Sequence, residues 1–344
     1  MTTLSDVARL AGVSPATASR ALSGAPGRTV RPELRDRVLA AARELNYVPN
    51  AAAQTMARGQ SNSLGLLVNE ISDPHFLSIA SGVTRAAARH GCIVTLSSAG
   101  MGASGRAEVV DLMASQRVRA LIIAGSVGSD DPAVDQLDAA LVRLGRTGAR
   151  VATIGAEQLG TSSVLLPNRR GSTALAAELL DLGYRRFAVL AGPANRPSAS
   201  QRAASFADRV LAGGGQVVAS IHGGFDRTAG HRGMSELLAG PQPELVFATN
   251  DLLALGALRR LREAGLVVPD DIALAGFGGG EFLNDVVPGI TSVFMDTEQA
   301  GALAVDLVLG PDAGVRSVQL DYRLHLRDST RRQPVTGREA AEQR

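Results

Sequence analysis

Residues 13–23 read VSPATASRALS. Ser14 is an N-cap type whose side-chain oxygen accepts from the amides of a first helical turn. Pro15 falls at the first helical position, where a missing N–H costs nothing. Just upstream, LSDVARLA (4–11) has the apolar spacing of a short helix, with Ser5 or Thr3 as its N-cap. Gly12 then supplies a residue tolerant of positive φ for a tight turn. Downstream of Pro32, Leu34, Val38, Ala41 and Leu45 follow an i, i+4, i+7, i+11 pattern, one apolar stripe. Two helices joined at a glycine turn and braced by a third make a helix-turn-helix unit, whose second helix offers its first turns to base edges. Here those turns carry a proline, two alanines, a threonine and a serine before the first long polar side chain, Arg20.

The chain of 344 residues is long enough for two or three domains, and 45% hydrophobic against 20% charged residues is ordinary for a globular protein. Aromatics are 3% and tryptophan is absent, so Ala, Val and Leu must fill the core. Every basic residue is arginine, and arginines run along the whole chain, which reads as compositional bias. Their local balance is more informative. Residues 1–60 hold eight arginines against four carboxylates, a net of +4, whereas the whole chain carries +2. A basic head suits a polyanionic partner. The single cysteine, Cys92 in CIVTL, cannot form an intrachain disulfide and reads as a small buried hydrophobe. With no apolar leader in MTTLSDVARLAG and no run near the ~20 residues of a membrane span, the expectation is a cytoplasmic protein.

NYVPN (46–50) breaks the third helix, and AAAQTMARGQS (51–61) follows, helical in propensity but too short to be stable unless something docks against it. From Ser63 the pattern changes. Apolar runs LGLLV, CIVTL, ALIIAG, RVATIG, FAVLAG, QVVASI, LVFATN and IALAGF alternate with helical stretches, the signature of βαβ units and parallel sheets. The fold class is therefore α/β behind an all-α N-terminal head. Residues 156–168 read as a seam between two halves, and 331–344 as a polar tail.

Five stretches, TLSDVARLAGVSPATASRAL, VLAAARELNYVPNAAAQTMARGQS, LGYRRFAVLAGP, ATNDLLALGALRRLREAGLVVPDDIALAGF and GITSV, resemble the lactose-repressor family of bacterial transcription regulators, in order along nearly the whole chain. The resemblance implies a homodimer whose paired heads bind a pseudo-palindromic operator. It also implies a periplasmic-binding-protein-like core of two Rossmann-like parallel-sheet subdomains, with a small-molecule effector in the cleft between them. The expected division is a head at 1–48, a hinge at 49–62, a first subdomain at 63–161 plus 293–318, and a second at 162–292 plus 319–330. By the same resemblance Pro15, Ala16 and Arg20 occupy base-reading positions, with Arg20 able to bond a guanine edge bidentately. Thr17 and Ser19 suit phosphate contact, which positions without specifying. Ala18 and Ala21 read as helix packing. Asn50, Ala53 and Met56 of the hinge would lie along the minor groove, with Met56 as an apolar wedge that unstacks a base step. Ala51 replaces a long basic residue often found there.

In the cleft, the resemblance points to His75, Phe76, Ser198, Arg202, Phe225 and Asn250. Gly155, Pro167 and Gly278 depart from the pattern by standing where acidic acceptors are usual. With those acceptors gone the effector is expected to be a sugar or an acidic metabolite, and Arg202 favours the acidic one. GMGASG (100–105) matches G-x-G-x-x-G between a strand and a helix, yet the next strand ends without an acid to bind ribose, so it reads as an ordinary loop. His222 and His231 flank Asp226 with nothing else to form a metal site, and no Ser-His-Asp or Cys-His arrangement has local support. The expected function is a ligand-responsive repressor, without catalytic residues, cofactor or metal. The alternatives are an effector-insensitive DNA-binding regulator and a dinucleotide-dependent enzyme. A transport solute-binding protein is ruled out by the head.

Overall fold

The computed structural model describes residues 2–23, 30–48, 50, 53, 55, 59–99, 102–125, 128, 131–155, 160–312 and 314–331. The head is α1 (Leu4–Ala11), α2 (Pro15–Ser23) and α3 (Pro32–Glu44). Thr3 is the N-cap of α1 and forms a capping box with Asp6, while Gly12 closes the helix at φ 65. Val7, Ala8, Ala11, Ala18, Ala21, Val38, Ala41 and Ala42 form a small separate core. Leu34 and Leu45, expected on the α3 stripe, are only half-buried.

The remainder forms two α/β subdomains. The first sheet takes β1 (Ser63–Val68), β2 (Ile93–Ser98), β3 (Ala120–Ala124), β4 (Arg150–Ile154), β5 (Ser162–Leu165) and β11 (Ser317–Gln319) in the order β11-β5-β4-β3-β1-β2. All its pairs are parallel. The second takes β6 (Arg186–Gly192), β7 (Gln216–His222), β8 (Leu245–Ala248), β9 (Ala273–Gly278), β10 (Thr291–Phe294) and β12 (Arg323–His325) in the order β12-β10-β9-β8-β6-β7. It is parallel except for β12, which runs antiparallel to β10. Helices α4 (Pro74–Arg89), α5 (Ala103–Ser115), α6 (Val134–Arg146) and α11 (Thr297–Leu309) serve the first subdomain. Helices α7 (Asn168–Asp181), α8 (Pro197–Ala212), α9 (Arg227–Leu238) and α10 (Asp251–Glu263) serve the second.

Sheet membership corrects the expected division. SSVL (162–165) completes the first sheet, so the first crossing falls after Leu165 and not before Ser162. β10 belongs wholly to the second sheet, so the return crossing follows Phe294 and not residue 292. Gln319 still pairs with Leu165 in the first sheet, one residue beyond the expected last crossing. The short strands β5, β10, β11 and β12 lack the long apolar runs that mark the others, which is why the sequence blurs these borders.

Three of the few aromatic side chains form one cluster. Phe206 stacks on Phe247 at 4.2 Å between ring centroids and meets Phe187 edge-on at 5.7 Å, under the second sheet. The carboxyl ends of the parallel strands in both sheets deliver Asn69, Gly125, Gly155, Asn250 and Gly278 to one crevice, the position at which open α/β sheets bind ligands.

Candidate functional site

The recognition helix is built by its cap. Ser14 Oγ accepts from the Thr17 amide at 3.1 Å and lies 2.9 Å from Thr17 Oγ1. Ala18 and Ala21 are 0% and 4% exposed, so both are packing residues, as expected. Pro15, Ala16, Ser19 and Arg20 are exposed and Thr17 is half-buried. Arg37 from α3 donates to the Ala11 carbonyl and covers Gly12, where an added Cβ would sit 2.6 Å from its Nη2. The turn angle between α1 and α2 is thus fixed from a third helix.

In the hinge, Asn50 Oδ1 accepts from the Ala53 amide at 3.3 Å. Met56 and Ala51 lie outside the described residues. The hinge exit is tied to the first subdomain. Ser61 donates through its amide and its hydroxyl to the Arg117 carbonyl at 2.9 and 3.0 Å, and Arg117 Nη1 donates to the Gly59 carbonyl at 3.4 Å.

The crevice between the subdomains is a cleft of about 540 Å³, and all six residues singled out for it, His75, Phe76, Ser198, Arg202, Phe225 and Asn250, line it. Asp73 caps α4 by accepting from the His75 amide at 2.9 Å. Burial pushes the His75 imidazole down to about 4, Asp73 opposes this, and the Arg202 and Arg196 charges add to it. His75 is therefore neutral at pH 7, with one ring nitrogen donating and the other accepting. Phe76 stands edge-on to His75 at 5.1 Å and is 5% exposed. Arg202, also 5% exposed, donates from Nε to Asn168 Oδ1 at 2.8 Å and from Nη1 to the Thr249 carbonyl at 2.9 Å. Its guanidinium lies 4.0 Å from the Phe277 ring centroid. Burial draws Arg202 down to about 9, opposed by Asp251 and Asp73, so it stays charged at neutral pH. Asn250 is first a helix cap: Oδ1 accepts from the Leu253 amide at 2.7 Å and Nδ2 donates to the Phe225 carbonyl at 2.8 Å. Ser198 is half-buried in the first turn of α8.

Sequence reasoning missed part of this wall. Arg196 places its guanidinium 4.8 Å from the Phe225 ring centroid, and burial lowers its pKa. Its signal was the residue before Pro197 at a helix start. Five carboxylates also line the cleft, Asp73, Asp251, Glu281, Asp296 and Glu298, so the acids absent at Gly155, Pro167 and Gly278 do not leave it without anionic groups. Asp73 and Asp296 are helix caps and Glu298 pairs with Arg85. Of the three departures, Gly155 and Gly278 face the cleft, but Pro167 is buried outside its wall at the head of α7; its neighbour Asn168 reaches the site by holding Arg202.

Geometry settles the GMGASG loop and the histidines. Gly100 and Met101 lie outside the described residues, and the first amide of α5, at Ala103, is capped by Asp131 Oδ2 at 2.8 Å. A carboxylate there repels the pyrophosphate that a dinucleotide motif would seat. His231 bonds Glu263 at 2.6 Å, Asp226 caps α9, and His222 is exposed, so the three do not converge. Among the described residues no helix is long and apolar enough to cross a membrane.

A helix-turn-helix head on a two-subdomain ligand-binding core defines a class of transcriptional regulator. Residues 3–50 match the family described as bacterial regulatory proteins, lacI family, and residues 176–330 match the periplasmic binding protein-like domain. The chain is 32% identical over 339 residues to the HTH-type transcriptional regulator CelR of Thermobifida fusca, covering 95% of this chain and 98% of that protein. It is 29% identical over 339 residues to the HTH-type transcriptional repressor CytR of Escherichia coli strain K12, covering 96% and 97%. The lac repressor dimer bound to operator and the anti-inducer ONPF is 29% identical with a TM-score of 0.85, covering 96% of this chain and 99% of that one. A CelR–cellobiose complex is 29% identical with a TM-score of 0.68, covering 96% and 100%. The chain belongs to the lacI family of bacterial regulatory proteins, and it is an HTH-type transcriptional regulator.

Proposed function

We propose that the protein acts in the cytoplasm as a homodimeric repressor that binds a pseudo-palindromic operator and changes its affinity when a small molecule fills the inter-subdomain cleft. One observation carries this reading: α2 exposes Pro15, Ala16, Ser19 and Arg20 while burying Ala18 and Ala21 in the head core, so its exposed face is turned outward. Arg20 reads a guanine edge, Pro15 and Ala16 offer apolar contact to thymine methyls, and Thr17 and Ser19 hold phosphates. Asn50, Ala53 and Met56 supply the remaining specificity through the minor groove, reading deformability where the small side chains of α2 cannot read edges. No chemical step is assigned to the cleft. His75, Phe76, Ser198, Arg202, Phe225 and Asn250 bind and orient the effector.

The carboxylates of the cleft remove the objection to a neutral sugar, and a saccharide is the favoured effector class. An acidic metabolite is the second reading, supported by Arg196 and Arg202 on the same wall. Selection from random duplex DNA tests the function. The expected product is one consensus with two inverted half-sites about one helical turn apart, whose recovery falls steeply with salt. Recovery of no consensus overturns the operator reading. A thermal-shift screen of neutral saccharides against phosphorylated and carboxylated sugars ranks the two effector classes.

A further inference from the structure

We propose that Asp251, whose carboxylate occupies the space that a side chain at Gly278 would take, is the acceptor through which the cleft selects a hydroxyl-bearing effector; the proposal rests on the effector-cleft reading above. Asp251 opens α10, is 6% exposed, and lines the cleft. A Cβ on Gly278 would lie 2.7 Å from Asp251 Oδ2, and one on Gly276 would lie 2.7 Å from Oδ1. The carboxylate thus fills the space into which a side chain at position 278 would project. Gly278 also has φ +135, a conformation that L side chains rarely adopt. The acid expected from β9 has not vanished from the cleft; a carboxylate reaches the same place from the neighbouring helix.

The hydrogen bonds of Asp251 leave it capacity. Oδ2 accepts from the Gly280 amide at 2.9 Å and Oδ1 from the Ser292 hydroxyl at 2.7 Å, with the Gly279 amide beside them. An ionised carboxylate offers about four lone-pair sites, so at least one remains. Burial raises the Asp251 pKa, opposed by those donors and by the Arg202 charge. A further donor from a ligand would relieve that burial. Arg202 commits Nε and Nη1 to Asn168 and Thr249, which leaves Nη2 to donate. An acceptor and a donor of opposite charge facing one volume match a neutral polyol, whose hydroxyls both give and take hydrogen bonds.

The test begins with calorimetric titration of the full-length protein with neutral mono- and disaccharides, ribose and cellobiose among them. The tightest binder is then compared with its monodeoxy forms on wild type and on Asp251→Asn. One deoxy form is expected to lose about tenfold or more on wild type, and that loss is expected to shrink below about threefold on the variant. A residue that only shapes the loop would leave every deoxy loss unchanged, and that result overturns the proposal. Should Asp251→Asn show no cooperative thermal transition, the wild-type crystal structure with the same saccharide decides. A ligand hydroxyl within hydrogen-bond distance of Oδ2 supports the proposal, and none closer than about 4 Å overturns it. Failure of every saccharide to bind also overturns it. Operator binding by the same sample then leaves the DNA-regulator reading standing.

Discussion

The head and the cleft hold their polar groups in opposite ways. In the head, bonds that set the helix starts join residues three apart, as in Thr3–Asp6 and Ser14–Thr17, and they sit at the surface. In the cleft, beside the local caps of Asp73, Asn250 and Asp296, the buried charged groups bond residues far apart in the chain: Arg202 to Asn168 across 34 positions, Arg202 to Thr249 across 47, Asp251 to Ser292 across 41. The head's recognition helix therefore carries exposed side chains, Pro15, Ala16, Ser19 and Arg20, that lie outside its small core. The cleft's side chains hold two segments together as well as facing the effector. Recognition and stability are separable in the first region and coupled in the second.

The largest effect should come from Arg20→Ala. Loss of a bidentate guanine contact costs about 1–3 kcal/mol per half-site, or about 2–6 kcal/mol for a dimer on both halves. Arg20 is exposed and outside the head core, so its truncation leaves no cavity and the urea midpoint should move by less than about 0.5 kcal/mol equivalent. A mutant that keeps the wild-type consensus in binding selection removes Arg20 from the base readers. A mutant that unfolds early breaks the separation drawn above.

The opposite behaviour is expected of Arg202→Met. It strands Asn168 Oδ1 and the Thr249 carbonyl, each buried, at about 1–3 kcal/mol apiece, partly offset because a desolvated charge is also removed. A net loss of about 2–4 kcal/mol in urea unfolding, with unchanged slope, is the expected outcome. No loss would mean that the cleft arginine is held for the ligand alone.

His75 gives a smaller, pH-dependent effect. Its pKa is about 4 in the fold against an ordinary 6.5. Between those values the unfolded chain binds a proton that the folded chain does not. Its contribution is constant above pH 6.5 and falls as pH drops from 6.5 towards 4, by up to about 3 kcal/mol. Carboxylates titrate in the same window, so the measurement is the wild-type stability profile minus that of His75→Gln. A flat difference shows an imidazole that water reaches freely.

The same contrast explains what the sequence disclosed. Caps, the glycine turn and the split between outward Arg20 and inward Ala18 are local patterns, and a window of a few residues contains them. The apolar strand runs are local too, so the α/β core was legible. Six cleft residues were reached through resemblance to a family and not through spacing. Arg196 and Asp251 stayed hidden because each takes its role from a distant partner: Phe225 for one, the Gly278–Gly280 backbone for the other. Gly278 read as the loss of an acceptor because sequence shows the missing side chain and not the carboxylate that moves into its space.

The smallest effect concerns Ser14, the cap of α2. Ser14→Ala removes the acceptor of the Thr17 amide, worth about 1 kcal/mol. The head core is built largely of alanines and is separate from the cores of the subdomains, so the loss should appear as local fraying rather than as a shift of the main melt. Amide exchange at Thr17 and Ala18 should quicken about fivefold, the factor that 1 kcal/mol represents. Ser14→Asp separates the two duties of the position. Its carboxylate restores the cap and favours the helix N-terminus, so exchange should return to the wild-type rate or below it. The same negative charge would face operator phosphate, and affinity should fall below that of Ser14→Ala, most visibly at low salt. If Ser14→Asp restores exchange and affinity together, the start of α2 does not approach the DNA backbone, and the docking of the exposed Pro15–Arg20 face has to be turned towards its C-terminal end.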